Sequence, residues 1–154
     1  MSSYLPVTRR KALVVGAGLL IAANCVATSQ AKKVNPGEQA NLKLVNDFLK
    51  GWAAADATGA GLAAFFTDDC TLRLQEGKPP ILGKAAVTAA FDGYLSKGSR
   101  YAINILESCA KGPIVINSRT DAAIVDGAPG KATPVVGFFL VRNGKIAEQS
   151  DFLP

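Results

Sequence analysis

The stretch from Thr133 to Phe152, TPVVGFFLVRNGKIAEQSDF, contains two runs of strand length joined by Asn143 and Gly144. An Asn-Gly pair between such runs favours a two-residue β-hairpin, because both residues tolerate the positive φ angles that this turn requires. Three earlier runs also have strand character, and they cover residues 70–75, 100–109 and 113–126. The sequence therefore predicts about five long antiparallel strands, most of them in the C-terminal half.

Three helical patterns occupy the N-terminal half of the chain. The first begins with Asn35 as a candidate N-cap, Pro36 at the first helical position and Glu38 in place to complete a capping box. The second follows Thr58, and the third covers residues 83–97. Helices followed by strands predict an α+β fold, in which a curved mixed or antiparallel sheet wraps around three helices and leaves a pocket between the layers.

Residues 1–31 have the pattern of an export signal. A basic start at Arg9, Arg10 and Lys11 precedes an apolar run, and small residues lie near Ala31, where cleavage is expected. The Arg9-Arg10 pair resembles the twin-arginine signal, which predicts a periplasmic or secreted bacterial protein. A retained membrane anchor is the alternative, although the apolar run is short for a bilayer span.

The remaining residues, 32–154, are enough for one domain. Residues 1–31 carry three positive charges and no negative charge, so their removal lowers the net charge from +5 to +2. No cluster of Lys and Arg interleaved with aromatic residues remains, which argues against nucleic-acid binding. Cys70 and Cys109 can form a disulfide in an oxidising compartment or remain two small thiols, and the sequence leaves both alternatives open.

The chain contains no histidine. This excludes Ser-His-Asp and Cys-His nucleophiles, and it excludes histidine-based metal sites. Any acid-base chemistry must then come from Asp, Glu, Tyr, Lys or Arg, and carboxylates are the expected carriers.

The segment SRTDAAIVDG, residues 118–127, places an Arg and an Asp two positions apart. Because residues two apart on a strand point the same way, Val115, Asn117, Arg119 and Asp121 should share one face. A surface ion pair and half of an active site both fit this pattern.

The last predicted strand contains another charged residue within a mixed pattern. Ala147, Gln149 and Asp151 should lie on one face, and Ile146 and Glu148 should lie on the other. If the concave faces of the two strands coincide, Asp151 meets the Arg-Asp pair of the earlier strand.

At these residues the chain resembles the limonene-1,2-epoxide hydrolase family, within the SnoaL-like and nuclear-transport-factor-2-like group. The resemblance covers residues 38–153, and it is most specific at RTD, residues 119–121, and at residues 135–152. It implies a cone-shaped domain that hydrolyses a small hydrophobic epoxide to a vicinal diol without metal, cofactor or covalent intermediate. By position, Asp151 would be the general base that activates water, Asp121 the acid that protonates the epoxide oxygen, and Arg119 the bridge between them.

The chain departs from the family's pattern where the attacking water is held. Family members place a Tyr and an Asn two positions apart on the strand after the second helix, whereas the matching positions here are Leu72 and Leu74. Two leucines cannot orient a water molecule. Another polar group would have to do so, and the candidates are Gln75, Asn104 and Asn117.

The predicted pocket includes these positions and residues of the helices and the last strand. Gln149 belongs to it, although Gln149-Ser150 stands where the family has Trp-Arg. Trp52 and Phe91 are candidates for the pocket wall, with core packing as the alternative. The complete set of pocket candidates is Trp52, Leu72, Leu74, Gln75, Phe91, Asn104, Asn117 and Gln149.

Two other functions remain open. A non-catalytic exported domain that binds a small apolar molecule is favoured by Leu72 and Leu74. Isomerase or cyclase chemistry occurs on the same fold, but steroid isomerases need an Asp base where this chain has Leu74.

The protein is also expected to be a homodimer. The run VVGFFLVR, residues 135–142, gives both faces of its strand apolar side chains, so one face can pack against a second copy.

Overall fold

The computed structural model describes residues 35–96 and 99–153. The predicted export signal, residues 1–31, lies outside these ranges, so the twin-arginine signal, its cleavage and the export of the protein remain predictions. Within the described ranges, no helix has the length and apolar character needed to cross a bilayer.

The described residues form three helices: α1 (Pro36–Gly51), α2 (Gly59–Ala63) and α3 (Lys84–Leu95). The predicted capping box at the start of α1 is confirmed. The Asn35 side chain accepts a hydrogen bond from the backbone N–H of Gly37 at 2.8 Å, and the Glu38 carboxylate accepts one from the backbone N–H of Asn35 at 3.2 Å. These bonds satisfy N–H groups that the helix itself leaves free. Thr58 caps α2, as predicted.

The described residues form one seven-stranded sheet. The strands are β1 (Phe66–Arg73), β2 (Ile81–Leu82), β3 (Arg100–Lys111), β4 (Ile114–Val125), β5 (Ala128–Pro129), β6 (Thr133–Arg142) and β7 (Lys145–Phe152). Their order is β2-β1-β7-β6-β4-β3, and β5 pairs with β4. All these pairs are antiparallel except β1 and β7, which are parallel. β4, β6 and β7 therefore lie side by side.

The β6–β7 connection is the predicted two-residue hairpin. Arg142 pairs with Lys145 on either side of it, and Asn143 and Gly144 have φ angles of 53° and 71°. Positive φ at both central positions is the requirement that an Asn-Gly pair meets at little cost. The turn fixes the pairing of the residues next to it, and a register shift between Leu140 and Val141 sets the pairing farther along the two strands.

The hydrophobic core lies between the helices and one face of the sheet. The ring of Phe48 on α1 contacts rings from α3, β1 and β6: its centroid lies 6.1 Å from that of Phe91, 5.1 Å from Phe66 and 6.3 Å from Phe139. All four side chains are fully buried. Buried aromatic rings contribute large apolar areas, so this cluster holds the helices over the central strands. Residues of β4, β6 and β7 that face the helices are consequently shielded from water.

The structure corrects two predictions of strand pattern. β1 begins at Phe66 rather than at residue 70, because Phe66 is a core residue and pairs with Ile146 of β7. On β7 the alternation breaks at Ala147, where the β6–β7 register shifts, so Ile146 and Gln149 are both buried on the helix side. The prediction that Ile146 faces away from Gln149 was wrong.

Cys70 and Cys109 do not pair in this structure. Cys70 is buried on β1, and burial raises the pKa of its thiol, whereas Cys109 is exposed on β3. Three strands, β7, β6 and β4, separate β1 from β3 in the sheet. A disulfide needs its two β-carbons within about 4.5 Å, so the chain keeps these residues as separate thiols.

Candidate active site

Arg119 lies on β4 with its side chain on the buried face of the sheet. The burial of this strand alternates: Val115, Asn117 and Arg119 are buried, whereas Ile114 and Ile116 are exposed, which confirms the predicted faces. Only 2% of Arg119 is accessible to solvent. Burying a guanidinium is costly unless it is paired and hydrogen-bonded, so its partners decide what the site can do.

Three side chains accept hydrogen bonds from the guanidinium of Arg119. Nε donates to Oδ1 and Oδ2 of Asp121, at 3.0 and 3.2 Å. Nη2 donates to Oδ2 of Asp151 at 2.8 Å, and Nη1 donates to Oδ1 of Asn117 at 3.0 Å. One arginine thus bridges a carboxylate of β4 and a carboxylate of β7, which are 30 positions apart in the sequence.

Burial distinguishes the two carboxylates. The side chain of Asp151 is 7% exposed and that of Asp121 is 23% exposed. Burial raises the pKa of Asp151 above its ordinary value of 3.8, although Arg119 and Gln149 act in the opposite direction. Burial lowers the pKa of Arg119, but Asp151 and Asp121 outweigh it and raise that pKa, so the guanidinium stays charged. The site combines a permanent positive charge with a carboxylate that holds its proton more tightly than usual.

Gly137 on β6 gives Arg119 its path to Asp151. Asn117, Gly137 and Asp151 stand opposite one another on β4, β6 and β7. A β-carbon on Gly137 would lie 2.4 Å from Nη1 of Arg119 and 2.8 Å from Oδ1 of Asn117. Both distances are shorter than van der Waals contact allows, so a side chain at position 137 would force the guanidinium or the Asn117 amide to move. Gly137 was not among the site residues predicted from the sequence, although a glycine inside a strand pattern is a signal of close approach.

A cavity of about 270 Å³ lies against this group. Its charged and amide-bearing lining residues are Arg119, Asp121, Gln149 and Asp151. The rest of the lining consists mainly of apolar and aromatic side chains, and its residues are Leu49, Trp52, Leu74, Tyr94, Tyr101, Ile103, Thr133, Val135 and Leu153. A small apolar cavity with a few convergent polar groups suits a small hydrophobic ligand. Within the described ranges, no group of three or more His, Cys, Asp and Glu could hold a metal ion.

Part of the predicted pocket is brought together in this cavity. Trp52, Leu74 and Gln149 line it, beside the three predicted catalytic residues. Tyr94 and Tyr101 line it as well, although neither was a predicted pocket residue. Their ring centroids lie 6.4 and 6.0 Å from that of Trp52. They come from α3 and β3 and meet Trp52 only in the folded chain, so no local pattern predicts that they share a pocket.

The other predicted pocket residues lie outside the lining. Leu72 and Phe91 are fully buried among core side chains. Gln75 is exposed beyond the end of β1, and Asn104 is exposed on β3. Asn117 is buried, but its side-chain oxygen is taken by Arg119 and it is not part of the cavity wall. None of the three polar candidates for holding water therefore lies in the cavity lining.

Replacing Gly137 with alanine should break the bridge between the strands. The new methyl group would displace the guanidinium and leave Asp151 as a buried carboxylate without its arginine. Breaking a buried ion pair costs about 3–5 kcal/mol, so we expect a decrease of that order in the free energy of unfolding, measured by chemical denaturation.

Gly93→Ala is the matched control, because a β-carbon at Gly93 on α3 meets nothing within 4 Å. Alanine favours helix by about 1 kcal/mol over glycine, so this variant should be as stable as the wild type or more stable. A Gly137→Ala variant of wild-type stability, with Arg119 still bound to Asp151 in its crystal structure, would contradict the role of Gly137.

Comparison with solved structures finds the same fold in proteins of different description. An LEH-like epoxide hydrolase from M. tuberculosis has a TM-score of 0.66 and 23% sequence identity, over 77% of this chain and 86% of that chain. A protein from Xanthomonas campestris pv. campestris, provisionally described as a polyketide cyclase, has a TM-score of 0.63 and 22% identity, over 77% and 93%. A de novo designed protein with a curved β-sheet has a TM-score of 0.60 and 17% identity, over 75% and 86%. At these identities the likeness establishes the fold alone.

No curated protein sequence matches the chain. A family model described as a SnoaL-like domain matches residues 45–149. The match extends from α1 to β7 and takes in Arg119 and Asp121, and it ends two residues before Asp151. The α+β fold predicted from the sequence is confirmed. The chain belongs to the SnoaL-like domain family and has its nuclear-transport-factor-2-like cone fold.

Proposed function

We propose that the protein adds water to a small hydrophobic epoxide and releases a vicinal diol. The observation that carries the proposal is the buried guanidinium of Arg119, which binds both Asp121 and Asp151 in the wall of a mainly apolar cavity. Ring opening requires a proton on the epoxide oxygen and removes a proton from water, so two carboxylates with separate tasks suit the reaction. The fold shared with the M. tuberculosis LEH-like epoxide hydrolase supports this reaction class.

In the proposed step, the oxygen of a water molecule forms a bond with one ring carbon. Asp151, as a carboxylate, takes a proton from that water. The bond between this carbon and the epoxide oxygen breaks, and the oxygen receives a proton from Asp121. The products are the diol, a protonated Asp151 and an ionised Asp121, and transfer of one proton between the carboxyl groups or through solvent restores the starting state.

The division of tasks follows the family resemblance, and the surroundings of Asp151 support its part as the base. Asp151 has one oxygen bound by Arg119 and Gln149, while its Oδ1 has no hydrogen-bond partner among the described residues. A free oxygen on a carboxylate with a raised pKa is suited to take a proton. Asp121 is more exposed and binds the opposite side of the Arg119 guanidinium, so it is the carboxyl group that remains for the epoxide oxygen. Arg119 keeps both groups in place and remains charged throughout.

A binding domain without catalysis is the second candidate. Leu74 lines the cavity and offers no hydrogen bond, which favours retention of an apolar ligand over activation of water. In that case the charged residues would orient the ligand. The two candidates differ in what the loss of Asp151 does: it would abolish turnover in a hydrolase and would only change affinity in a binding domain.

Diol formation from a panel of cyclic and aryl epoxides tests the proposal. Asp151→Asn should lower kcat/KM by about 10²–10⁴-fold, because the amide cannot accept the proton from water. The measurement is the diol yield of each protein by mass spectrometry, with circular dichroism to show that the variant is folded.

Asp126→Asn is the matched control, since Asp126 lies in an exposed turn at a φ of 51°, a conformation that asparagine adopts readily. It should keep wild-type activity. No diol above background from any epoxide, with folded wild-type protein, would contradict the hydrolase proposal and favour the binding domain.

The pH dependence of kcat/KM should have an acid limb set by Asp151. The base works only when it is ionised, and burial raises its pKa, so activity should fall as the pH decreases through a midpoint above 3.8. Initial rates across buffers of constant ionic strength measure the midpoint. A midpoint at or below 3.8 would exclude Asp151, in this environment, as the group that must lose a proton.

We also propose that the protein is a homodimer. The face of the sheet opposite the helices carries an apolar surface, here called the outer patch, made of Ile114, Ile116, Val136, Phe138, Leu140 and Phe152. Its members are neighbours across the strands, because Ile116 pairs with Phe138 and Val136 pairs with Phe152. Contiguous exposed apolar side chains are typical of protein interfaces, and two copies related by a twofold axis can cover this patch on each other.

The mass in solution tests the dimer. Ile116→Lys places a charge in the outer patch and should convert a dimer into a monomer, as measured by sedimentation equilibrium. Val125→Lys is the control, because Val125 is 60% exposed on the same strand and lies outside the patch. A wild-type protein that is monomeric at the highest concentration studied would contradict the proposal.

A further inference from the structure

Gln149 lies on the same strand as Asp151, two positions before it, and both line the cavity. We infer that Gln149 and Asp151 together hold the attacking water, each accepting one of its two hydrogens. This inference rests on the proposed hydrolase function. It assigns to Gln149 the holding of the water molecule, which Leu72 and Leu74 cannot do because leucine forms no side-chain hydrogen bonds.

The hydrogen bond between the two residues fixes how the Gln149 amide is oriented. Nε2 of Gln149 donates to Oδ2 of Asp151 at 3.1 Å. The reverse orientation would place the amide oxygen against a carboxylate oxygen, and two acceptors repel each other. The amide nitrogen is therefore committed to Asp151, and Oε1 is left for another donor.

Two buried acceptor atoms then stand on one strand face without a partner. Oε1 of Gln149 and Oδ1 of Asp151 make no hydrogen bond within the described part of the chain. Gln149 is 2% exposed and Asp151 is 6% exposed. A buried acceptor without a hydrogen-bond donor destabilises the folded protein, so a donor is expected next to each of these two oxygens. A water molecule has two donors, and binding both to these acceptors leaves its lone pairs free to attack a carbon.

The three polar residues that the sequence offered for holding water are less suited to this task. Gln75 and Asn104 are exposed and lie outside the lining. Asn117 does not line the cavity, and its buried Nδ2, which has no partner among the described residues, can only donate to a water molecule and would occupy a lone pair needed for attack. Gln149 is an acceptor next to the base, so it orients the water without blocking its reactive electron pair.

Gln149→Met in the full-length protein tests the inference, because methionine has a similar volume and cannot accept a hydrogen bond from water. We expect kcat to fall by about 10²-fold with little change in KM, since a misplaced nucleophile slows the reaction step without altering the apolar contacts of the substrate. Gln75→Met makes the same chemical change at an exposed position and should keep wild-type values.

The carbon that receives ¹⁸O is a second measurement, and a loss of packing alone would not change which carbon is labelled. With an epoxide that the wild type attacks at one carbon in ¹⁸O-labelled water, Gln149→Met should divide the label between both carbons. Gln149→Leu serves as a second variant if Gln149→Met does not fold. Wild-type kcat and wild-type label position in the folded variant would overturn the inference while leaving the hydrolase function intact. A wild-type protein that forms no diol would instead remove the proposed function, and this inference with it.

Discussion

The bridge from Arg119 to Asp121 and Asp151 is the interaction on which the rest of the site depends. A guanidinium with 2% exposure requires partners for its N–H groups, and it finds them on two strands that the fold brings together through β6. Gly137 has no side chain, which leaves the space that the guanidinium occupies beside β6. The strand order, the pairing of β6 with β7 and the absence of a side chain at Gly137 together determine where the Arg119 guanidinium lies.

The fold by itself does not explain the presence of a buried arginine bound to two carboxylates. The same architecture occurs in a designed protein with a curved β-sheet and in natural proteins described as a hydrolase and a cyclase. Function must therefore be argued from the site. Here the site places a buried carboxylate of raised pKa, a more exposed carboxylate and a permanent positive charge around a small apolar cavity. Those features suit acid-base chemistry on an apolar substrate. They are not needed to stabilise a core, because removing charged groups from water costs more free energy than burying apolar side chains.

Much of this arrangement could be predicted from the sequence, because it depends on short-range patterns. The Asn143-Gly144 turn, the bounds of β6 and β7 and the capping box of α1 follow from local chemistry and are confirmed. The shared face of Asn117, Arg119 and Asp121 follows from the period of two in a strand. Together with the family resemblance, this periodicity predicted that Asp151 belongs to the same site.

The remainder depends on contacts between distant segments, which no local pattern contains. The bulge at Ala147 changes which β7 residues face the core, and it arises from pairing with β6. Tyr94 and Tyr101 come from separate elements and meet only around Trp52. Gln75 and Asn104 have suitable chemistry for holding water, but both are exposed. Gln75 lies beyond the end of β1, and Asn104 lies on β3.

A single turnover in ¹⁸O-labelled water, with protein in excess over epoxide, tests directly whether Asp151 acts as a general base. We predict that the first diol formed carries ¹⁸O, because the water beside Asp151 attacks the ring carbon itself. A first diol without label, with its new oxygen taken from an aspartate carboxyl group, would show a covalent ester intermediate and contradict the assignment of Asp151 as a general base.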